Sequence, residues 1–374
     1  MNKKLLLFSR DPGGANTIIP LVEPLSKMGY NVSLFGKDMA LTKYAEYRLS
    51  YDNIIEKINE VSLNNIKSFL EKNKPDCIIS GTSADDFTEK YIWKAARELE
   101  IPTIAILDQW INYGIRFSNY NINEISLFER DKICSFLPNI ICAMDEYAKK
   151  EMILDGIPEE RIVVCGQPYF ESLIKNKVEM NQKEKLIQKY GINDDEILII
   201  FASEPITQAY GVDYFGYTQK TILNNLVIAL KDLKENINKK IFLIIRPHPK
   251  EDEENYFEYE KNSDNNIKYV IDKESPARIL LERANLVCGI TSMFLIESVI
   301  LNKPTLSIQI GLNRKDKFIL NERGILKSIL SLYELEEQIL KIFSSNKNKM
   351  KNFKFIQDPI SRIITLVEKL ICLN

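Results

Sequence analysis

The sequence predicts an α/β protein built as two doubly wound parallel-sheet domains, on three observations. Short apolar runs alternate with amphipathic stretches, the pattern of strands joined by crossover helices. The alternation breaks at the polar, charged stretch KNKVEMNQKEKLIQKYGINDDE and then restarts. The chain has 374 residues, beyond the usual size of one domain. In such sheets ligands bind at the carboxyl ends of the strands, in the loops that follow.

The first block opens with a strand at LLLF (5–8), a helix from about Asn16 to Met28, and a second strand at NVSLF. After Pro75-Asp76 comes the strand CIIS, then the amphipathic helix EKYIWKAARELE and the strand TIAIL (103–107). NIICA (139–143) precedes the helix DEYAKKEMILDG, and RIVVCG follows it. The second block starts at ILIIFA (197–202) and continues with a helix near 218–235, the strands IFLII and KYVI, and a helix at 275–283. NLVCG, a helix near 293–301 and TLSIQ complete the alternation. The expected domains are 1–174 and 196–374, with 175–195 as linker. The last helix, about 359–372, has apolar residues at Ile360, Ile363, Ile364, Val367 and Ile371, and packing back on the first domain is its alternative place. The acidic stretch EDEENYFEYE (251–260) reads as a solvated helix face.

Composition narrows the function classes. Hydrophobic residues are 45% and charged residues 27%, as in ordinary globular proteins. Lys+Arg is 50 and Asp+Glu is 52, a net charge of −2, which argues against a nucleic-acid partner on bulk charge. A single histidine excludes His-rich metal sites and mechanisms needing two imidazoles. No D-x-D motif is present, and no metal or cofactor is expected. Most of the six cysteines, among them Cys77 and Cys288, sit in strand-like runs; none forms a C-x-x-C pair, and they read as reduced core residues of a cytoplasmic protein. MNKKLLLFSRDPGG is too short in apolar residues for a signal peptide, and no apolar run reaches the length of a membrane span.

The strongest motif is IFLIIRPHPKE (241–251), where a buried strand runs into Arg246, His248 and Lys250. Two prolines hold the histidine with little conformational freedom. Arg, His and Lys side by side supply several donors to a phosphate. The competing reading is a rigid turn whose basic residues face water. The second motif is NLVCGITSMFLIESVILNKPTLSI (285–308), in which Thr291 and Ser292 open a helix. Helix N-termini favour phosphate through free N–H groups and the dipole. Glu297 in that helix can accept ribose hydroxyls. The alternative is an ordinary capped helix.

RPHPKE, followed by G-x-T-S and a helix ending in LNKPTLSI, resembles the nucleotide-binding half of GT-B glycosyltransferases. The nearest resemblance is to bacterial surface-polysaccharide enzymes: HP-motif sialyltransferases, capsule transferases and CDP-glycerol glycerophosphotransferases. RIVVCGQPYFESL (161–173) is similar to the G-x-P-x-x-D segment of UDP-GlcNAc 2-epimerases, with Glu171 where those often have Asp. The specific matches are confined to about four short segments. The resemblance implies a GT-B fold, two Rossmann-like domains facing across a cleft. It implies that His248 contacts the donor phosphate or assists nucleotide departure, that Thr291 and Ser292 bind that phosphate, and that Glu297 meets ribose. It implies a CMP-, CDP- or UDP-linked sugar donor and a saccharide or lipid-linked acceptor, with work in the cytoplasm or peripherally at the inner face of the membrane.

The first domain lacks the histidine that serves as acceptor base in glycerophosphotransferases and those of the epimerases, so a carboxylate must serve. Asp11, in FSRDPGGANTIIP, resembles the first-loop Asp that is the base in several inverting GT-B enzymes. Gly13 and Gly14 beside it let the backbone approach a ligand, and Asn16 follows as an acceptor contact. The loop fits neither G-x-G-x-x-G nor a Walker A pattern. The alternative is an Asp that caps the helix. Asp85 and Asp86 read as helix-start acids. DQWINYGIRF (108–117) concentrates Asp108, Trp110, Asn112, Tyr113 and Arg116, which suit a sugar or anionic acceptor, with core packing the competing role for Trp110. Ser203 and Glu204 open a long polar-aromatic loop after the first strand of the second domain. The expected function is glycosyl or glycerophosphoryl transfer from a nucleotide-activated donor to a hydroxyl. A nucleotide-sugar 2-epimerase or hydrolase, and a non-catalytic binding protein on the same fold, are the alternatives.

Overall fold

A computed structural model describes residues 3–175, 184, 187–193, 195–237, 239–344 and 353–372. The chain divides into two compact units, Met1–Ser172 with Phe355–Asn374, and Leu173–Lys354. Most of the expected linker, including 176–183, lies outside the described residues. The second unit ends at Lys354, short of the expected C-terminus, because the last helix, Pro359–Cys372, belongs to the first. Its Ile363, Val367 and Ile371 share a core with Leu5, Leu7, Leu21 and Ile79.

The first unit holds seven parallel strands: β1 (Lys4–Ser9), β2 (Asn31–Gly36), β3 (Asp52–Asn53), β4 (Cys77–Ser80), β5 (Thr103–Ile106), β6 (Ile140–Ala143) and β7 (Ile162–Val164). Their order is β3-β2-β1-β4-β5-β6-β7. The second unit holds β8 (Ile197–Ala202), β9 (Ile241–Arg246), β10 (Ile267–Ile271), β11 (Leu286–Gly289), β12 (Thr305–Ile308) and β13 (Ser328–Ile329), in the order β10-β9-β8-β11-β12-β13, again parallel. Both are doubly wound sheets. The chain leaves the first strand to one side and later returns to its other side, which opens a crevice between two diverging loops. That switch point lies between β1 and β4 in the first unit and between β8 and β11 in the second.

The strands form where apolar runs are unbroken. ILIIFA is buried along its whole length, as a strand covered by helices on both faces must be. Its Ile199 and Phe201 share one core with Leu223, Leu226, Ile245 and Ile308. The two-residue strands β3 and β13 lie at sheet edges and are too short to carry a periodicity.

Two expectations need correction. The first helix spans Pro12–Lys27 and starts well before Asn16. Asp11 stays extended at φ −88° and ψ 158°, and Pro12 presets the first helical φ, so the two glycines lie in the first turn. The acidic stretch 251–260 is solvated at Asp252, Glu254, Glu258 and Glu260, but it is not one helix and its first acid is buried. It folds as a short 3₁₀ turn, Glu253–Tyr256, and a helix, Phe257–Lys261, that bury Tyr256 and Tyr259, and Glu251 is only 1% exposed. At the first switch point a Cβ on Gly81 would lie 2.9 Å from the Cα of Gly14. The first turn of the helix after β1 and the loop after β4 therefore meet backbone to backbone, and only glycine permits that approach.

Candidate functional site

In the first unit β1 delivers Arg10 and Asp11 to the switch point, and the loop after β4 delivers Ser83, Asp85 and Asp86. Asp11 occupies the N-cap position, yet its carboxylate makes no cap hydrogen bond. It turns to Ser83, whose hydroxyl donates to Asp11 Oδ2 at 2.8 Å, and to Arg10, whose Nη1 is 3.2 Å from Oδ1. Arg10 is the hub. It also pairs with Asp85 and donates through Nε to Asp38 at 2.7 Å. Burial works against the Arg10 charge, but Asp11, Asp85, Asp38 and Asp86 hold it above its ordinary range. Burial raises the proton affinity of Asp11, Arg10 opposes that, and Asp85 adds to it. A carboxylate held this way is a stronger base than a free one.

Asp86 has a structural task. It accepts from the Thr88 N–H at 2.8 Å and from the Thr88 hydroxyl, at the start of the helix Thr88–Glu98, and pairs with Lys37 at 2.6 Å. Although half-buried, it stays ionised more readily than usual, because Lys37 and Thr88 outweigh desolvation.

The DQWINYGIRF residues come together, but mostly inward. Arg116 is 2% exposed. Its Nη1 donates to Asp108 Oδ1 at 2.8 Å, to the Thr82 hydroxyl at 2.8 Å and to the Thr82 carbonyl at 3.0 Å, while Nε donates to the Asn112 carbonyl. The expected acceptor contact is instead an internal tie between the loops after β4 and β5. Trp110 and Tyr113 are buried too. The Trp110 indole N–H donates to Asp145 at 2.9 Å, and its ring stacks on Phe170. Asn112 is half-buried at φ +57°, and Asn16 is half-buried on the first helix. Asp108 answers the question of Gly13: a Cβ there would meet Asp108 Oδ2 at 2.0 Å. The approach expected of a phosphate at Gly13 and Gly14 is taken by that carboxylate and by Gly81.

In the second unit Arg246 ends β9, its Nη1 donating to the Ser275 carbonyl at 2.8 Å. Its guanidinium lies over the Phe294 ring, 5.6 Å from the centroid, beside the helix Met293–Ile300. The two motifs, 45 residues apart in sequence, are thus one cluster. His248 is half-buried. Burial, then the charges of Lys250 and Lys273, push it down to about 4, so it is neutral near pH 7. The Lys250 N–H donates to its Nδ1 at 3.1 Å, which leaves the ring proton on Nε2. Lys250 itself is exposed.

Glu251 fixes this loop. It accepts from the His248 N–H at 2.9 Å, the Tyr256 hydroxyl at 2.7 Å and the Ser203 hydroxyl at 3.2 Å. Lys273 donates to its carbonyl at 2.6 Å. Ser292 caps its helix, accepting from the Phe294 N–H at 3.2 Å, and Glu297 is buried one turn on. Thr291 is held by Glu204, which reaches from the end of β8 to accept its N–H at 2.5 Å and its hydroxyl at 2.7 Å. Burial raises the proton affinity of Glu204 against those hydrogen bonds. A carboxylate therefore occupies the donors expected for phosphate.

Sequence reasoning missed Arg10, Lys37, Ser83, Glu89 and Glu251. Arg10 had a signal, a charge at a strand's carboxyl end beside a candidate base. Glu251 and Glu89 had none, because acids in or near a helix's first turn are common for dipole reasons. Among the described residues no group of three His, Cys, Asp or Glu is placed to hold a metal ion, and no helix is long and apolar enough to cross a membrane.

Residues 154–317 match a family model described as CDP-glycerol:poly(glycerophosphate) glycerophosphotransferase. A comparison with curated proteins finds no match. Among solved structures the chain is similar to the UDP-GlcNAc 2-epimerase from Methanocaldococcus jannaschii, with 18% identity, 98% of this chain and 99% of that one covered, and a TM-score of 0.69. It is similar to the UDP-GlcNAc 2-epimerase from Neisseria meningitidis solved with UDP-GlcNAc, with 18% identity, 98% and 100% covered, and a TM-score of 0.68. A glycosyltransferase from Rickettsia africae gives 13% identity, 100% and 94% covered, and a TM-score of 0.59. At such identities the likeness is one of fold. The chain has the GT-B fold, two parallel-sheet α/β domains in succession.

Proposed function

We propose that this GT-B chain transfers a glycosyl or glycerophosphoryl group from a nucleotide-activated donor to a hydroxyl acceptor, in the assembly of a bacterial surface polysaccharide or glycoconjugate. One observation carries the reading: reactive groups stand at the carboxyl ends of the strands in both units, a basic carboxylate at the switch point of the first and a guanidinium–imidazole–helix-start cluster after β9 and β11 in the second. The matched family segment contains that second cluster and favours transfer over epimerisation. The second unit serves the donor. Arg246 and the Nε2–H of His248 hold its phosphate, and their fixed dipoles stabilise charge on the leaving group. The first unit serves the acceptor, with Asp11 taking the hydroxyl proton.

The test is release of free nucleotide from CDP-glycerol and from CMP-, CDP- and UDP-linked sugars, with and without a saccharide or lipid-linked acceptor. Acceptor-dependent release is expected, and it should survive EDTA because Arg246, Lys250 and Lys273 supply the positive charge. A UDP-sugar isomerised without acceptor would identify an epimerase instead, and nucleotide binding without turnover would identify a binding protein.

Two predictions belong to the donor side. Arg246→Ala removes a charged donor to phosphate, worth about 1.5–3 kcal/mol. Nucleotide affinity by calorimetry should fall roughly tenfold to a hundredfold, with the melting curve little changed. Unchanged affinity would place the phosphate elsewhere. Glu204→Gln removes the charge that competes for Thr291 and still accepts its N–H. Affinity for the donor nucleotide should rise about tenfold or more, given like-charge repulsion of a few kcal/mol at this range. Weaker binding would show that Glu204 supports the ligand.

A further inference from the structure

The helix Thr88–Glu98 begins directly behind the Asp11 cluster and buries a group that the reaction as described does not use. Glu89, in its first turn, is 1% exposed. Its Oε2 has no hydrogen-bond partner. An acid buried in this way is costly unless it serves something, since a glutamine or an apolar side chain would fill the space without an ionisable group.

Among the described residues, five charged or titratable groups act on Glu89. Asp11 and Arg10 face it from the end of β1, Asp86 from the loop before its own helix, Lys90 from the next position, and Tyr44 from the helix Met39–Glu46. The cations are committed elsewhere. Arg10 is shared among Asp11, Asp38 and Asp85, and the Lys90 ammonium donates to the carbonyls of Ile115 and Tyr120. Tyr44 is bonded to Ser9 at 2.5 Å. A backbone N–H and a share of Arg10 offset a negative charge on Glu89, and burial and the Asp11 charge outweigh them.

We propose that Glu89 is the positioning acid of the Asp11 site, staying protonated behind Asp11 so that a single negative charge faces the acceptor. The proposal rests on the reading of Asp11 as the base. At rest Glu89 holds the proton and Asp11 is ionised. When Asp11 takes the acceptor's proton it becomes neutral, and because its side chain is 24% exposed it passes that proton to water, while Glu89 keeps its own and the pair returns to one charge. Burial, and then the Asp11 charge, push Glu89 up to about 8. Because this folded value lies above the unfolded one, the associated stability is intact below the ordinary carboxylate range and is lost as pH rises toward about 8.

The experiment is an infrared pH titration of the full chain, following the protonated-carboxyl band in wild type, Glu89→Gln and Asp11→Asn. Wild type should keep one protonated carboxyl at pH 7 that titrates near pH 8. Glu89→Gln should lose that band. Asp11→Asn should keep it and titrate at lower pH, because the neighbouring charge is gone. A wild type without the band at pH 7, or a midpoint unmoved by Asp11→Asn, overturns the proposal. The readout needs no turnover, so it stands or falls apart from the transferase assay. Where transfer is measured, wild type should show an alkaline limb near pH 8 that Glu89→Gln lacks. A purely structural role would alter melting and leave that limb in place.

Discussion

Asp11→Asn should fold normally and lose on the order of a hundredfold or more in turnover. Asparagine matches the size of the side chain and still accepts from Ser83, whose hydroxyl lies 2.8 Å from Asp11 Oδ2. It cannot take a proton at neutral pH. Positioned general bases contribute typically 10²–10⁴-fold. The stability change should be within about 1 kcal/mol, the scale of a lost cap, and smaller still here because the carboxylate makes no cap bond. Turnover per folded molecule, read beside a denaturation curve, separates the two roles. Near-wild-type turnover would remove Asp11 from the mechanism and move the search to Asp108 and Asp85.

Arg116→Ala should destabilise the first unit by roughly 3–5 kcal/mol, the cost of leaving a buried charge without its partner. Arg116 and Asp108 are 2% and 7% exposed, and Arg116 also donates to both oxygens of Thr82 and to the Asn112 carbonyl. Its removal orphans all of these groups at once. Urea denaturation measures the loss. A double-mutant cycle with Asp108→Asn should show strong coupling, because residues in one network are not additive. A loss below about 1 kcal/mol would be the value of an exposed pair and would return Arg116 to the role of an acceptor contact.

The site was legible in the sequence where local chain geometry sets it. RPHP announced itself because two prolines and the end of an apolar strand fix direction within a few residues. The Asp11 loop was legible for the same reason, though the start of its helix was misplaced by treating glycines as loop residues. Partners were not legible. Thr291 and Ser292 read as phosphate ligands because nothing in their neighbourhood names Glu204, 87 residues earlier, as the group already bound to Thr291. Arg116 read as a recognition residue and Trp110 as either that or core packing, since type and spacing cannot tell a side chain at a strand's end from one folded beneath it.

The sequence by itself determined the two alternating blocks, the parallel sheets and the strand ends that carry chemistry. Buried apolar runs and turn residues act over a few positions, and each can be read alone. Tertiary structure alone decided which charges meet. It made Arg10 the centre of four carboxylates, set Asp108 against Gly13, placed Glu204 on Thr291 and enclosed Glu89 behind Asp11. Those pairings depend on strand order, which brings β1 beside β4 and β8 beside β11 across long stretches of chain. Proton affinity depends in turn on burial, which no single position of the sequence carries.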